Sequence, residues 1–280
     1  MTFGFTIWPE NVSNGPTSVD MNYPSYASIL GTGAKSSWSE VISDAAVTTA
    51  CHGVFVEVAK TATGATDTSA VLDIGTDPAG GTSYSAVISD LLVGFADDPN
   101  ANTGNGGVQQ YFIPLEIPSG AAVAIRGQTN GGAALSASVR VSLWGAATGP
   151  YSGATCTTYG VSGTNGTEVT PGNDSAWGSW TSIGGTTATD LQAISIGVQP
   201  KVTAGAINRN AYQLQIGVSS AAISGIYDVK SSTTETFHGP RPVIPTYYYV
   251  ASGAQLQVRA RGVSGSIDNL YVALYGVSAT

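Results

Sequence analysis

Charge is what this chain has least of. Charged side chains make up 10% of its 280 residues, against about 25% in ordinary soluble domains. Ten Lys+Arg face eighteen Asp+Glu, for a formal net charge of −8, and no basic run occurs. Nucleic-acid binding needs a cationic footprint that displaces counterions from phosphate, so no nucleic-acid partner is expected. The same sign of charge repels an anionic membrane surface. No apolar run approaches the ~20 residues of a membrane span, so no membrane association is expected either. The segment Met1 to Pro9 has neither a positive n-region nor a long apolar stretch, which predicts a chain made in a cytoplasm without a signal peptide.

Cysteine and histidine are equally scarce, at two each. Cys51 and Cys156 lie in different halves, which excludes the dense framework of a secreted disulfide scaffold. Cys51-His52 lacks the companions of a four-ligand zinc site and reads as a small buried residue opening a strand. His52 and His238 are remote from each other, and no Gly-x-Ser-x-Gly elbow accompanies them. His238, within Phe237-His238-Gly239-Pro240, reads as a loop residue. No Gly-rich phosphate cradle precedes a helix. Glycoside hydrolysis would require two carboxylates across a cleft. Among the possible pairs, Asp73 and Asp77 in Asp73-Ile74-Gly75-Thr76-Asp77-Pro78 suit a strand end and turn. The chain is therefore expected to be no enzyme and to carry no metal or other cofactor. The loop Asp97 to Gly107 is rich in oxygen ligands that Ca²⁺ accepts, but its spacing departs from an EF-hand, and it reads as a solvated turn.

What is abundant is glycine, 36 residues, with 13 Pro, 13 Tyr and a hydrophobic fraction of 42%. Core material is ample. The hydrophobic period is two: Val54, Val56 and Val58 alternate with Phe55, Glu57 and Ala59, and Val139, Val141 and Leu143 alternate with Arg140 and Ser142. Such segments are strands with one buried face. Turn signals such as Asn14-Gly15, Asp77-Pro78, Asn130-Gly131 and Gly184-Gly185 permit antiparallel reversals. Ser85 to Phe95 departs from this pattern. Ile88, Leu91, Leu92 and Phe95 have helical spacing there, which predicts a short helical turn between strands.

The chain repeats itself. Trp38 and Trp180 are 142 residues apart, as are Leu72-Asp73-Ile74-Gly75 and Leu214-Gln215-Ile216-Gly217. At an offset of 133, Ser119 to Arg126 matches Ser252 to Arg259, and at 131, Val139 to Gly145 matches Leu270 to Gly276. Deletions that change the offset belong in loops. The first lies opposite Ala96 to Gly107. Co-linear blocks predict an all-β chain of two tandem antiparallel β-sandwiches, jelly-roll-like and related by internal duplication. The expected division is an N-terminal arm over 1–16 and sandwiches over 17–146 and 151–280, joined near Ala146 to Pro150. Trp38 should then sit where Trp180 sits, and Arg126 where Arg259 sits.

Two segments are candidate interfaces. Phe3, Phe5 and Ile7 alternate, with Trp8 beside them, so the arm is strand-competent and suited to adding a strand to its own domain or to a neighbour. Tyr247-Tyr248-Tyr249 is the richest aromatic cluster. In a regular strand Tyr247 and Tyr249 share one face, with Tyr248 and Val250 on the other. One face is core; the other packs, fills an interface or stacks on a sugar. Lys is the usual guard of exposed strand edges. With four Lys in the chain, the edges are expected to be covered by a partner, as in a homo-oligomer.

The pattern Gly166-Thr167-Glu168-Val169-Thr170-Pro171-Gly172, Trp180-Thr181-Ser182-Ile183, Leu214-Gln215-Ile216-Gly217, with Trp38-Ser39-Glu40-Val41 and Ile117-Pro118-Ser119-Gly120 in the first half, resembles a family of bacteriophage virion proteins built of β-sandwich modules. The first half departs from it before its Trp, where Val19 to Pro24 replaces the Thr-Pro-Gly turn. The resemblance implies a location in the virion and a capsid decoration (cement) or accessory head–tail role. It implies partners among other virion proteins, capsid or tail, and brings no catalytic residue. The alternative it leaves open is a tail or head fibre adhesin that binds host glycan.

Overall fold

The computed structural model describes residues 25–26, 30–60, 69–93, 108–129, 137–144, 153–173, 176–201, 210–231, 237–241, 245–263 and 269–278. The fold is all-β, with no α-helix among the described residues. The first half contributes β1 (Ser25–Tyr26), β2 (Leu30–Thr32), β3 (Ser39–Ile42), β4 (Gly53–Lys60), β5 (Ala70–Asp77), β6 (Ser85–Val93), β7 (Val108–Ile113), β8 (Ala122–Thr129) and β9 (Ala137–Trp144). One sheet runs β1-β9-β4-β7. The other runs β8-β5-β6, with β2 and β3 both pairing on β8. Val54, Val56 and Val58 of β4 are fully buried, while Glu57 faces outward between its cross-strand neighbours Arg140 and Gln110. This is the period-two alternation of a half-buried strand.

The second half contributes β10 (Thr155–Tyr159), β11 (Thr167–Val169), β12 (Thr181–Thr186), β13 (Ala193–Pro200), β14 (Asn210–Val218), β15 (Ala221–Ala222), β16 (Tyr227–Ser231), β17 (Phe237–Arg241), β18 (Gln255–Gly262) and β19 (Leu270–Ser278). Its pairings follow the same order. β10 and β11 lie on one side of β19 and β13 on the other, as β1 and β4 flank β9. β12-β18-β14-β16 follows β3-β8-β5-β6. Even the parallel pairing of β2 on β8 has a counterpart, a parallel bridge from Gly172 to Arg261 of β18.

The halves are not separate beads. β13 and β19 are covered on both faces: Ile194, Ile196, Val198, Val272 and Leu274 point into the second half's own core. Ala193, Ala273, Tyr275 and Val277 join the core of the first half. β6 lies against β10, β13 and β19, and β7 against β13 and β17. The seam is also polar. Gln199 Nε2 donates to the carbonyls of Ala70 (2.9 Å), Val93 (3.1 Å) and Thr164 (3.2 Å), and Gln109 Nε2 donates to Val198 O. Ser195 Oγ donates to Phe112 O at 2.7 Å. Tyr275 Oη accepts from Leu92 N at 2.7 Å and donates to Asp90 O at 3.1 Å. The Tyr111 and Tyr275 rings meet edge-on, with centroids 5.7 Å apart. These buried donors, each paired with a backbone carbonyl, favour one arrangement of the halves, although Gln199 Oε1 is buried without a partner among the described residues. The joint near Ala146 to Pro150 lies outside the described residues.

Three sequence expectations need correction. Ser85 to Val93 is strand β6, not a helical turn. Between the pairs Ile74↔Ile88 and Leu72↔Leu91 the strand holds one extra residue, and Asp90 there has φ +56°. A bulge adds one to the period of two, so Ile88 and Leu91, three apart, share the buried face and imitate a helix. Phe95 is outside the described residues. His238 lies in β17 rather than in a loop. Asp73 is mid-strand in β5, not at a strand end. Asp77 does organise the turn, accepting from Ala79 N (2.9 Å) and Ser83 N (2.8 Å).

Candidate functional site

The two halves carry the same cluster on the outer face of one sheet. In the first, Trp38 lies on Gly75, where a methyl group would come within 2.6 Å of the indole Cη2. The Arg126 guanidinium stacks 4.3 Å from the Trp38 ring centroid. In the second, Trp180 lies on Gly217 and Arg259 stacks on it at 4.5 Å. Trp38 thus corresponds to Trp180, and Arg126 to Arg259. Each tryptophan is delivered by a loop closed against the middle strand. Ser36 N donates to Gly127 O at 2.9 Å in one half, and Gly178 N to Ala260 O at 2.8 Å in the other. Gly31 and Gly172 sit inside these loops, where a side chain would collide with backbone at Ser36 N (2.9 Å) and Gly178 N (2.6 Å).

What surrounds the shared pair differs. In the first half Asp73 is 1% exposed. Its carboxylate takes Arg126 Nε at 2.8 Å, Lys35 Nζ and Asp90 N at 2.9 Å. Lys35 also reaches Asp90 Oδ1 at 2.5 Å. Two cations and two carboxylates balance, and the network is closed. Tyr84 packs on Trp38 (centroids 6.0 Å) and donates to Glu40 Oε2 at 2.7 Å. Burial, then the Glu40 carboxylate, push its phenol up to about 12.

In the second half Gln215 stands at the position of Asp73 and Trp177 at that of Lys35. Gln215 Oε1 accepts from Arg259 Nε (3.1 Å) and Nη2 (2.7 Å). Trp177 covers both Arg259 (4.7 Å) and Arg261 (4.6 Å), so Arg259 is stacked between two indoles. Arg261 Nε donates to Gln213 Oε1 at 2.8 Å, and Gln213 Nε2 to Asp228 Oδ1 at 3.1 Å. Gln257 Oε1 accepts from Ser220 N at 2.6 Å. Among the described residues Arg259 is in no ion pair. Trp177, Trp180, Arg259, Arg261 and the three glutamines are all half-buried, open to solvent on one side. The face offers guanidinium donors, amides that donate and accept, and aromatic surface.

The tyrosine run is the second exposed feature. Two bridges, Leu191↔Val250 and Ile194↔Thr246, tie its segment to the β13 edge. Between them three residues oppose two, a bulge that breaks the alternation. Tyr247, Tyr248 and Tyr249 are therefore all exposed, at 40%, 50% and 62%, while Val250 is buried. The expected sharing of a core face by one set of these residues does not hold. Tyr249 Oη donates to Asp190 Oδ2 at 2.7 Å, and Ser252 N donates to Asp190 Oδ1 at 2.8 Å. The Ser252 backbone N–H, then the Tyr249 hydroxyl, hold the Asp190 carboxyl below its usual range.

The other candidates do not converge on either face. Phe3, Phe5, Ile7 and Trp8 lie outside the described residues, as does the Asp97 to Gly107 loop. Cys51 and Cys156 are free thiols, and burial pushes Cys156 up to about 12. Among the described residues no group of three or more His, Cys, Asp or Glu could hold a metal ion, and no helix is long and apolar enough to cross a membrane.

No family model matches the chain, and no curated protein matches it. Solved structures of PNGF-II in two crystal forms, C2 and P21, are similar to it at 10% and 8% identity, with TM-scores of 0.38 and 0.36. The match covers 89% and 87% of this chain but 63% and 59% of those chains, so the chain spans under two thirds of their length. A likeness that low carries no argument about function.

Sequence reasoning missed Trp177. Its signal was the doublet Trp177-Gly178-Ser179-Trp180, set against Lys35-Ser36-Ser37-Trp38 in the first half. The difference, not the repeat, marked the site.

Proposed function

We propose that this chain is a non-enzymatic structural protein of a bacteriophage particle, a capsid decoration or accessory head–tail component that acts through contacts with other virion proteins and with copies of itself. One observation carries the reading: the all-β body holds Tyr247, Tyr248 and Tyr249 out of its own core, consecutive on a bulge between two bridges. Exposed tyrosines on a fixed backbone are favoured anchors of protein interfaces, because they bring large contact area at low entropy cost. The resemblance of the residue pattern to phage virion modules supports the same reading. Duplication of one sandwich module accounts for the matching strand pairings.

The experiment is mass spectrometry of density-purified particles from cells that make the chain. The expected result is recovery of the chain at a fixed ratio to the major capsid protein. Loss of that ratio is expected for the triple variant Tyr247→Ser, Tyr248→Ser, Tyr249→Ser, with its melting temperature unchanged. Particles without the wild-type chain would end the proposal. A second reading, a tail or head fibre adhesin for host glycan, is favoured by the Trp177–Arg259–Trp180 face.

A further inference from the structure

We infer that the outer face of the β12-β18-β14-β16 sheet binds a carboxylate-bearing saccharide, seated on Arg259 between Trp177 and Trp180. The inference rests on the second reading for its ligand class, and the chain's place in a particle does not enter it.

The first ground is charge. In a chain of net charge −8, Arg259 is held by a neutral amide oxygen and two indole faces. Its counterpart Arg126 is neutralised by Asp73. Gln215 occupies one edge of the Arg259 guanidinium. A planar guanidinium carries N–H groups on more than one edge, the fork that receives a carboxylate bidentately. The second ground is the company it keeps. Gln213, Gln215 and Gln257 line the same face, and amides both donate and accept, as sugar hydroxyls require. The half-buried indoles give apolar surface for ring C–H groups. The third ground separates saccharide from acidic peptide. Asp228, exposed, closes the row Arg261–Gln213–Asp228. A peptide of carboxylates alone would meet it and offer the three glutamines no hydroxyl, whereas a sugar acid sets each carboxylate among hydroxyls. The first half serves as an internal control, since Lys35 and Asp73 fill there the places of Trp177 and Gln215.

The test is titration of the full chain with tetragalacturonate and with sialyllactose, read by calorimetry and by the indole N–H signals of Trp177 and Trp180. At least one should bind with Kd on the order of 10⁻⁴ M and shift both indole signals. The methyl ester of tetragalacturonate should bind at least ~10-fold more weakly, since the ester cannot form the charge-assisted pair. Gln215→Glu places a carboxylate on the guanidinium as in the first half, and should weaken binding at least ~10-fold with melting unchanged or raised. Arg259→Lys keeps the charge but loses the fork and should weaken it as well. Four results would each overturn the inference: no binding of either saccharide at about 5 mM, equal binding of the ester, tetraglutamate binding as tightly as the saccharides, or full binding by Gln215→Glu. Absence of the chain from virions would leave all of these outcomes as they are, so the two proposals fail separately.

Discussion

Set side by side, the Trp38 and Trp180 clusters share a tryptophan on a glycine, an arginine on the tryptophan, and a loop hydrogen-bonded to the middle strand. Of their differences, two bear most directly on the charge of the cluster. Asp73 and Lys35 close the first into a charge-balanced network around one buried carboxylate. Gln215 and Trp177 leave the second cationic, aromatic and open to solvent. One scaffold therefore serves two ends: carboxylate under arginine makes a structural lock, and amide under arginine makes a presented cation. Two residues decide which.

The largest expected effect breaks the lock. Asp73→Ala leaves Lys35 and Arg126 without their buried counter-charge and should cost about 3–5 kcal/mol. Gln215→Ala removes a half-exposed neutral acceptor and should cost only about 1 kcal/mol. Urea unfolding of both variants measures the contrast. A comparable loss from the two would mean that burial of Asp73 does not distinguish the clusters.

Next comes the seam that holds the clusters in one body. A methyl group on Gly197 would lie 2.9 Å from Tyr275 Oη and 3.1 Å from Tyr111 Oη. Gly197→Ala should destabilise by about 1–3 kcal/mol. Calorimetry should still show one transition, because the halves share a core. Two resolved transitions would show that each cluster belongs to an independently folding unit.

Alkaline pH should weaken the same seam. Burial raises the phenols of Tyr111 and Tyr275 above the usual tyrosine value, and raises the Cys156 thiol to about 12. These groups stay protonated in the folded state at pH values where the unfolded chain releases its protons. Their contribution is complete below the unfolded values of about 8.5 for Cys and 10 for Tyr. It is lost as pH rises through the higher folded values. Melting temperature should fall from about pH 9 upward, and more steeply than for Tyr275→Phe. Equal slopes would remove the seam tyrosine from the account.

The smallest effect lies beside the open cluster. Ser219 and Ser220 turn β14 into β15 with φ of +50° and +65°, a conformation costly for any residue with a Cβ. Ser220 N is held by Gln257 Oε1. Ser220→Gly should stabilise by about 0.4–1 kcal/mol, without altering the stacked tryptophans in near-ultraviolet circular dichroism. A loss of stability would assign Ser220 a contact that outweighs its backbone strain.

Much of this architecture can be read in the sequence, for a physical reason. A strand half-buried in a sandwich must alternate, so Val54, Val56 and Val58 announce themselves. A tryptophan lying on a glycine demands both residues, so Trp38 with Gly75 and Trp180 with Gly217 recur at a fixed separation. Bulges defeat the same reasoning. One added residue gave β6 a helical spacing and turned all three tyrosines outward, because parity is the only signal that alternation carries. The seam was hidden too. Nothing local in the sequence marks Gln109 and Gln199 as buried, because the carbonyls that partner them come from positions remote in sequence. Trp177 was hidden by the repeat itself, since attention to what matches passes over the position where Lys35 does not.

The account's central claim is that the residue under the arginine sets the role of each cluster, and exchanging the two residues tests it most directly. Urea unfolding free energies of Asp73→Gln and Gln215→Asp, measured in parallel, should be strongly unequal. The first should lose several kcal/mol, because Lys35 and Arg126 lose the buried carboxylate that both contact and Arg126 keeps no counter-charge. The second should change by no more than about 1 kcal/mol, because a half-exposed carboxylate joins an arginine already held in place. Equal losses, or a larger loss from Gln215→Asp, would contradict the claim.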